Sequence, residues 1–251
     1  MRRFDFEVAI LGGGSAGYAA ARTAAAAGLR TVVLEGGEEV GGLCILRGCM
    51  PSKALLYAAE VRHLASKGAT WGLRIPKVGF DFPAVMARKT LMIDDFAGYR
   101  RQQLASGKFE FLRARARFQD DHTLALEPWP PPARHRIPKT LTAAHFVIAT
   151  GSVTAPVTLP GLAETGFLTS DDILTLKQPP RSLIVLGGGP VALELAQFLA
   201  RFDTQVTVIQ RSDHLLSSSD ADAALALEQA LGREGLKLFT GTKLRRVFRR
   251  G

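Results

Sequence analysis

A repeated segment constrains the fold of this chain more than any other feature of its sequence. Residues 8–36 resemble residues 183–211, an offset of 175 residues. In both copies an apolar run leads into three consecutive glycines, and an alanine-containing stretch and a second apolar run follow. Each copy therefore predicts a strand, a tight turn, a helix and a second strand, which is the arrangement of a Rossmann-like nucleotide-binding unit.

Small residues in each turn stand where a dinucleotide-binding turn requires them. The first glycine allows the sharp bend, the second allows the backbone to approach a pyrophosphate, and a small residue one turn later lets the helix pack on the strand. The helix start, Ser15 and Ala16 in the first copy, would present N–H groups and a positive dipole end to the phosphates. The predicted turn residues are Gly12, Gly14 and Gly17 in the first copy and Gly187, Gly189 and Ala192 in the second.

The two copies differ at the end of the second strand, where an acidic residue commonly accepts hydrogen bonds from a ribose. Glu35 lies 23 residues after Gly12 and suits that role. The second copy has Gln210 at the equivalent position and Arg211 after it. Because no carboxylate is there to repel a 2′-phosphate, the second copy favours NADP(H) over NAD(H).

Between the copies, sequence patterns predict a mixed arrangement. Residues 82–106 read as a helix, 109–118 and 123–127 as a strand pair, and 145–152 as a buried strand that ends on Thr150 and Gly151. The proline-containing segment 153–160 then resembles a connection between domains. We therefore expect an α/β protein with two Rossmann-like domains, a small antiparallel meander and a boundary near Ser152.

Charge and apolar length bear on partners and location. The net charge is +9, but the excess is scattered or lies in the last residues, where 242–249 alternates like a solvated strand. This distribution does not favour a nucleic-acid partner. No uncharged stretch reaches the length of a membrane span, and the apolar run near the amino terminus is interrupted by three consecutive glycines, unlike a secretion signal. We expect a cytoplasmic protein without a membrane partner.

Only two cysteines occur, Cys44 and Cys49. Structural zinc would need about four ligands, and no second Cys/His cluster is present. A structural disulfide, two unrelated buried thiols and a redox-active pair remain as readings. Five residues of regular helix rise about 7.5 Å, beyond the roughly 7 Å limit for bridged Cα atoms, so a bridged pair requires a helix interruption. Gly48 and Pro51 supply one, and Cys49 would then lie at a helix N-terminus, where a thiolate is stabilised.

The segment Gly41-Gly-Leu-Cys-Ile-Leu-Arg-Gly-Cys-Met-Pro-Ser-Lys53 resembles the active-site segment of the pyridine nucleotide-disulfide oxidoreductases, which include dihydrolipoyl dehydrogenase, glutathione reductase and mercuric reductase. The resemblance implies a redox-active disulfide in which Cys44 exchanges with substrate and Cys49 contacts a flavin. It also implies that Lys53 lies near the flavin and pairs with Glu194, and that Gly42, Thr150 and Gly151 belong to the FAD site. Leu43, Leu46 and Pro190 depart from the usual residues of the family.

The same resemblance implies the cofactors and the domain order. We expect FAD in a domain of residues 1–152 and NAD(P)H in a second domain of residues 153–251, which would be truncated. A dimerisation domain that donates a His/Glu pair to its partner in the family would be absent. We therefore expect this fragment alone to be inactive, and a catalytically incomplete nucleotide-binding fragment is an alternative to a dihydrolipoyl dehydrogenase-like or mercuric reductase-like enzyme. The expected partners are a small-molecule or protein-bound disulfide or dithiol substrate and, in the full-length protein, a second copy of the chain. His122 and Glu127 have the spacing of that His/Glu pair, but their place in a predicted hairpin indicates coincidence.

Overall fold

Residues 4–131 and 137–249 are described by the computed structural model. They form two compact units, each assembled from two stretches of the chain. The first comprises Met1–Met50 and Met92–Val153, and the second comprises Pro51–Leu91 and Thr154–Gly251. The break after Val153 lies beside the boundary expected near Ser152. Residues 51–91, however, pack with the second stretch, whereas 1–152 was expected to form one domain, and the division of cofactors between 1–152 and 153–251 stays a prediction.

The first unit is built around a six-stranded sheet. Its strands are, in spatial order, β3 (Glu110–Leu112), β2 (Thr31–Leu34), β1 (Phe6–Leu11), β6 (Thr140–Ile148), β5 (Thr123–Pro128) and β4 (Ala114–Phe118). The strands β3, β2, β1 and β6 run parallel, whereas β4, β5 and β6 form an antiparallel meander. In chain order its elements are β1 (Phe6–Leu11), α1 (Ser15–Ala26), β2 (Thr31–Leu34), α2 (Leu43–Leu46), the start of α3 (Cys49–Ser66), the latter part of α4 (Phe82–Leu104), β3 (Glu110–Leu112), β4 (Ala114–Phe118), β5 (Thr123–Pro128) and β6 (Thr140–Ile148).

The second unit contains a three-stranded parallel sheet of order β7 (Ser182–Leu186), β8 (Gln205–Ile209) and β9 (Lys237–Phe239). Most of α3, a short 3₁₀ turn at Gly68–Trp71 and the first part of α4 belong to it. Its remaining elements are α5 (Leu162–Thr165), α6 (Ser170–Ile173), β7 (Ser182–Leu186), α7 (Pro190–Ala200), β8 (Gln205–Ile209), α8 (Ala221–Arg233) and β9 (Lys237–Phe239). The α/β class and the Rossmann-like character predicted from the sequence are confirmed.

The repeat is preserved in strand register as well as in sequence. Val8 on β1 pairs with Thr31 on β2, and Leu183 on β7 pairs with Val206 on β8. Both partners in the second pair lie 175 residues beyond those in the first. The two glycine turns also share a left-handed backbone, with φ of +106° at Gly12 and +108° at Gly187. The two copies therefore form the same local structure.

An apolar cluster explains why residues 51–91 pack in the second unit. Leu55 and Ala59 of α3 and Phe82 of α4 are buried in one cluster with Phe198 and Phe202. The Phe82 ring lies 5.9 Å from that of Phe198 and 5.6 Å from that of Phe202. Aromatic side chains bury large areas, so these contacts hold α3 and α4 on α7.

A polar network adds to this packing. The Arg201 guanidinium, only 10% exposed, donates to Glu234 at 2.7 and 2.8 Å and also to Glu60 on α3. Gln197 donates to the same Glu234 carboxylate at 3.0 Å. Burial acts to raise the pKa of Glu234, but the hydrogen bonds and charge of Arg201 outweigh it, so that pKa lies below its usual value. Arg201 thus links α3, α7 and the end of α8, because its positive charge pairs with both Glu60 and Glu234.

Three expectations from the sequence are corrected. Residues 242–249 form no strand; Val247 N donates to the Pro160 carbonyl at 2.8 Å, but no sheet pairing follows. The segment 109–118 is two strands interrupted at Arg113, whose side chain bonds to carbonyl oxygens of the loop after β2. The end of β6 is paired but not buried, since Ile148 is 69% exposed. Within 4–131 and 137–249, no helix has the length and apolar character needed to cross a membrane.

Replacing Arg201 should destabilise the protein strongly. We expect Arg201→Met to lower the free energy of unfolding by about 3 kcal/mol, because it leaves the largely buried Glu234 side chain, 14% exposed, without its cation. Arg88→Met, which removes an exposed arginine from α4, should change that free energy by less than about 0.5 kcal/mol. Urea unfolding followed by circular dichroism measures both. Equal small effects would contradict the structural role of Arg201.

Candidate functional site

A cleft of about 870 Å³ opens in the first unit. It lies where β1, β2 and β6 end, which is the edge at which parallel α/β sheets bind ligands. Its volume falls within the range of about 300–1,000 Å³ that is common for ligand sites. Of the residues predicted to bind a cofactor or act in catalysis, those that line the cleft are Gly12, Gly14, Ser15, Ala16, Glu35, Gly42, Cys44, Thr150 and Gly151.

The turn after β1 is shaped by close backbone contacts. A Cβ atom at Gly12 would lie 2.3 Å from the Ala149 carbonyl oxygen, and one at Gly17 would lie 1.8 Å from the Gly12 carbonyl oxygen. Gly17 thus allows α1 to approach the turn, as predicted, but it does not line the cleft. The first helical bond runs from Tyr18 N to the Gly14 carbonyl at 2.9 Å. The preceding N–H groups at the start of α1 lie outside the helical hydrogen-bond pattern and are suited to an anion.

Glu35 is a buried carboxylate in the wall of this cleft, with 8% of the residue exposed. One carboxylate oxygen accepts a hydrogen bond from Gly13 N at 2.8 Å, and the other accepts one from Gly37 N at 2.7 Å. These bonds fix its orientation, and each carboxylate oxygen can accept further bonds. A ribose hydroxyl and a pyrophosphate would therefore find an acceptor and a set of donors within one cleft, as a dinucleotide such as FAD requires.

Several lining residues were not predicted. Leu43, Leu46 and Arg47 come from the cysteine segment, Glu38 and Glu39 from the loop after β2, and Ala114, Arg115 and Ala116 from β4. The two alanines alternate with arginines in a short strand, and this alternation is the sequence signal for them. It becomes informative only when the sheet order places β4 in the same sheet as β2.

The cysteine segment is an interrupted helix, as the spacing predicted. Helix α2 ends at Leu46, Arg47 has φ −141°, and α3 begins at Cys49. A Cβ atom at Gly48 would lie 2.9 Å from the Leu43 carbonyl oxygen, so the close path of the chain requires glycine there. Cys44 is half-buried in the cleft wall and Cys49 is exposed. The disulfide between them stays a prediction.

Lys53 follows Cys49 by one helical turn and pairs with Glu194. Its ammonium nitrogen lies 2.6 and 2.8 Å from the two carboxylate oxygens of Glu194 on α7. The lysine side chain is 59% exposed and the glutamate side chain 34%. This is the pairing that the resemblance implies, and the catalytic role of the two residues stays a prediction.

The second glycine turn repeats the local geometry without a carboxylate. Gly187 N donates to the Ile209 carbonyl at 2.9 Å, and Gly189 caps α7, which contains Ala192. Gln210 is buried like Glu35, and its side-chain oxygen accepts a hydrogen bond from Arg211 N at 3.1 Å. The Arg211 side chain is exposed. The second unit thus offers a helix start and an exposed cation where the first has a helix start and an anion.

Comparison with known proteins identifies the family. Residues 6–251 match the family described as pyridine nucleotide-disulphide oxidoreductase. The chain belongs to this family. The match confirms the resemblance stated from the cysteine segment, and it implies FAD and a pyridine nucleotide as the cofactors of the family.

Individual proteins of similar sequence or structure agree with this family assignment. The dihydrolipoyl dehydrogenase of Bacillus subtilis (strain 168) is 34% identical over 249 residues, which cover 96% of this chain and 51% of that protein. A mercuric reductase of Streptomyces lividans is 35% identical over 248 residues, covering 98% and 51%. A Cu(II) complex of RclA, an HOCl-induced flavoprotein disulfide reductase from Escherichia coli, superposes with a TM-score of 0.78 at 25% identity, covering 98% and 51%. The chain therefore spans about half the length of these relatives.

The hairpin that contains His122 and Glu127 is explained by contacts within the first unit. His122 lies in the turn between β4 and β5, and its Nδ1 atom is 2.9 Å from the Ala143 carbonyl oxygen. Its ring packs against Phe4 with 4.7 Å between ring centroids. His122 is therefore held by the first unit itself, and neither it nor Glu127 lines the cleft.

A methyl group at Gly14 should separate folding from cofactor binding. A Cβ atom there meets only the Gly42 Cα at 3.4 Å, so the fold tolerates Gly14→Ala, but the methyl group stands where the pyrophosphate must approach. We expect FAD affinity to fall at least about ten-fold, measured by fluorescence titration. Gly98→Ala, on the surface of α4 where the nearest atom is 3.8 Å away, is the matched control. Unchanged FAD affinity in Gly14→Ala would contradict the assignment of the turn.

Proposed function

We propose that the protein is an FAD-dependent oxidoreductase that transfers two electrons between NAD(P)H and a disulfide or dithiol substrate, most like a dihydrolipoyl dehydrogenase. One observation carries the proposal: Cys44 lines the nucleotide cleft, and the interrupted helix places Cys49 at the start of α3. Family membership supports it. A cytoplasmic location, which is expected from the sequence, and a homodimer, which the resemblance implies, also belong to the proposal.

Different residues of the cleft would bind different parts of FAD. The α1 start would bind the pyrophosphate, Glu35 would accept from the adenosine ribose, and Thr150 and Gly151 would bound the cleft at the end of β6. When bound, FAD supplies two-electron transfer between the nicotinamide and the thiol pair. The residues of the protein would hold FAD in position and set the charge around it.

The two thiols would act in sequence. In the direction of disulfide reduction, the Cys44 thiolate attacks a substrate sulfur, which forms a mixed disulfide and releases one substrate thiolate. The Cys49 thiolate then attacks the Cys44 sulfur, which releases the second substrate thiolate and leaves a Cys44–Cys49 disulfide. Dithiol oxidation is the reverse. Position at the N-terminus of α3 stabilises the Cys49 thiolate, because the helix dipole is positive there.

Lys53 adds a second positive charge one turn along the same helix. Its bidentate contact with Glu194 fixes the ammonium group, which a long and exposed lysine side chain would not hold by itself. We propose that this pair tunes the charge around the thiol and flavin chemistry. Because both side chains are partly exposed, their contribution to folding is small, less than about 1 kcal/mol.

The identity of the substrate distinguishes two variants of the proposal, an enzyme like dihydrolipoyl dehydrogenase and one like mercuric reductase. Relatives named dihydrolipoyl dehydrogenase and mercuric reductase are equally similar, at 34% and 35% identity. NADPH or NADH oxidation with lipoamide as acceptor would support the first, and oxidation dependent on Hg(II) would support the second. If the FAD-loaded full-length protein oxidised neither nucleotide with either acceptor, both variants would be contradicted.

The cysteine pair provides the direct test. We expect one reversible disulfide, and we expect FAD to slow alkylation of Cys49 more than that of Cys44, because the resemblance places Cys49 against the flavin. Trypsin cleavage after Arg47 leaves two peptides joined only by that disulfide, so mass spectrometry can identify it. Peptides that remain unlinked under oxidising and reducing conditions alike would refute the redox role. Stronger protection of Cys44 by FAD would reverse the assigned roles.

Nucleotide preference is a separate prediction of the second unit. We expect the protein to oxidise NADPH faster than NADH, because Arg211 can pair with a 2′-phosphate and Gln210 does not repel it. Arg211→Leu should reduce the NADPH rate and leave the NADH rate nearly unchanged. Stopped-flow reduction with each nucleotide measures both. A clear NADH preference in the unmodified protein would show that Arg211 is not a 2′-phosphate ligand.

A further inference from the structure

An arginine stacked on a tryptophan forms part of the cleft in the first unit. The Arg115 guanidinium lies over the Trp129 ring, with 3.4 Å between its carbon and the ring centroid. The antiparallel pairing of β4 with β5 sets this contact, since Arg115 is opposite Glu127 and Trp129 lies two residues further along. Trp129 N also donates to the Arg113 carbonyl at 3.1 Å, which ties the tryptophan to β4. The stack is therefore anchored by backbone pairing on both sides.

Arg115 lies at the end of the cleft that contains Glu35 and Gly36. A Cβ atom at Gly36 would lie 2.8 Å from the Arg115 Cγ atom, so the two residues are in contact. Gly36 directly follows Glu35, the carboxylate suited to a ribose, and both residues line the cleft with Arg115. Arg115 thus stands beside the ribose position, where the base attached to that ribose would project.

Charge and shape indicate what this arginine can bind. A guanidinium is planar and stacks on aromatic rings through either face. Trp129 covers one face of Arg115, while the residue remains exposed on the surface of β4. In the part of the chain that the structure describes, its guanidinium forms no ion pair, although Glu127 lies across from it. The other face is therefore available to a second flat ring.

We propose that the adenine ring of the bound dinucleotide stacks on Arg115, which Trp129 supports from the opposite face. This inference rests on the proposed FAD site. Stacking on a side chain that is already held costs less conformational entropy than stacking on a mobile arginine. Arg115 would select adenine dinucleotides over flavins that lack the adenosine half.

Binding of AMP and of FAD to Arg115 variants tests the proposal. We expect Arg115→Gln to weaken both ligands about ten-fold, in line with the loss of one base-stacking contact. Arg115→Lys should weaken them equally, because lysine keeps the charge but has no plane to stack. The matched control is Arg117→Gln, which removes the next arginine on β4, outside the cleft, and should leave both affinities within about two-fold.

Each result has a distinct meaning. Wild-type AMP affinity in Arg115→Lys would show a contact with phosphate instead of adenine and would overturn the stacking. Unchanged affinities in Arg115→Gln, with FAD and AMP bound normally by the unmodified protein, would overturn the inference and leave the FAD site intact. If the unmodified protein bound neither ligand, the proposed function would fail together with this inference. Circular dichroism of each variant verifies folding.

Discussion

The close approach of α1 to the turn after β1 is the contact on which the first unit depends. A Cβ atom at Gly17 would lie 1.8 Å from the Gly12 carbonyl oxygen, so any larger residue would push the helix away from the strand. With the helix in place, its N-terminal N–H groups open into the cleft beside the buried Glu35. Donors for a pyrophosphate and an acceptor for a ribose thus result from one packing contact.

Helix α3 holds Cys49 and Lys53, two residues of the proposed thiol chemistry. Its interruption from α2 places Cys49 at the first position, and Lys53 follows one turn later. Further along, α3 contacts α7 through Lys53 with Glu194 and through Glu60 with Arg201. Both pairs are separated by 141 residues in sequence, and their charges are reversed. A displacement of α3 by two turns would bring like charges together, so the pairs favour one register of the two helices.

The sequence predicted the features that depend on residues close together in the chain. Glycine spacing predicted both nucleotide turns, and the strand registers of the two copies agree with the repeat. The rise of a helix predicted the interruption before Cys49. The Lys53–Glu194 contact came from the family resemblance, since nothing in the spacing of residues 141 apart indicates it. The alternation in 242–249 predicted a strand that does not form, because a strand also needs a partner that the pattern cannot supply. Likewise, only the folded sheet brings Ala114 and Arg115 to the cleft.

A crystal structure of the protein with FAD would test the central claim most directly. We expect the pyrophosphate to lie at the start of α1 between Gly12 and Gly17, the adenosine ribose to bond to Glu35, and the flavin to lie toward the Cys49 end of the cysteine segment. FAD bound elsewhere, or bound in this cleft with Glu35 away from the ribose and the cysteines away from the flavin, would contradict it.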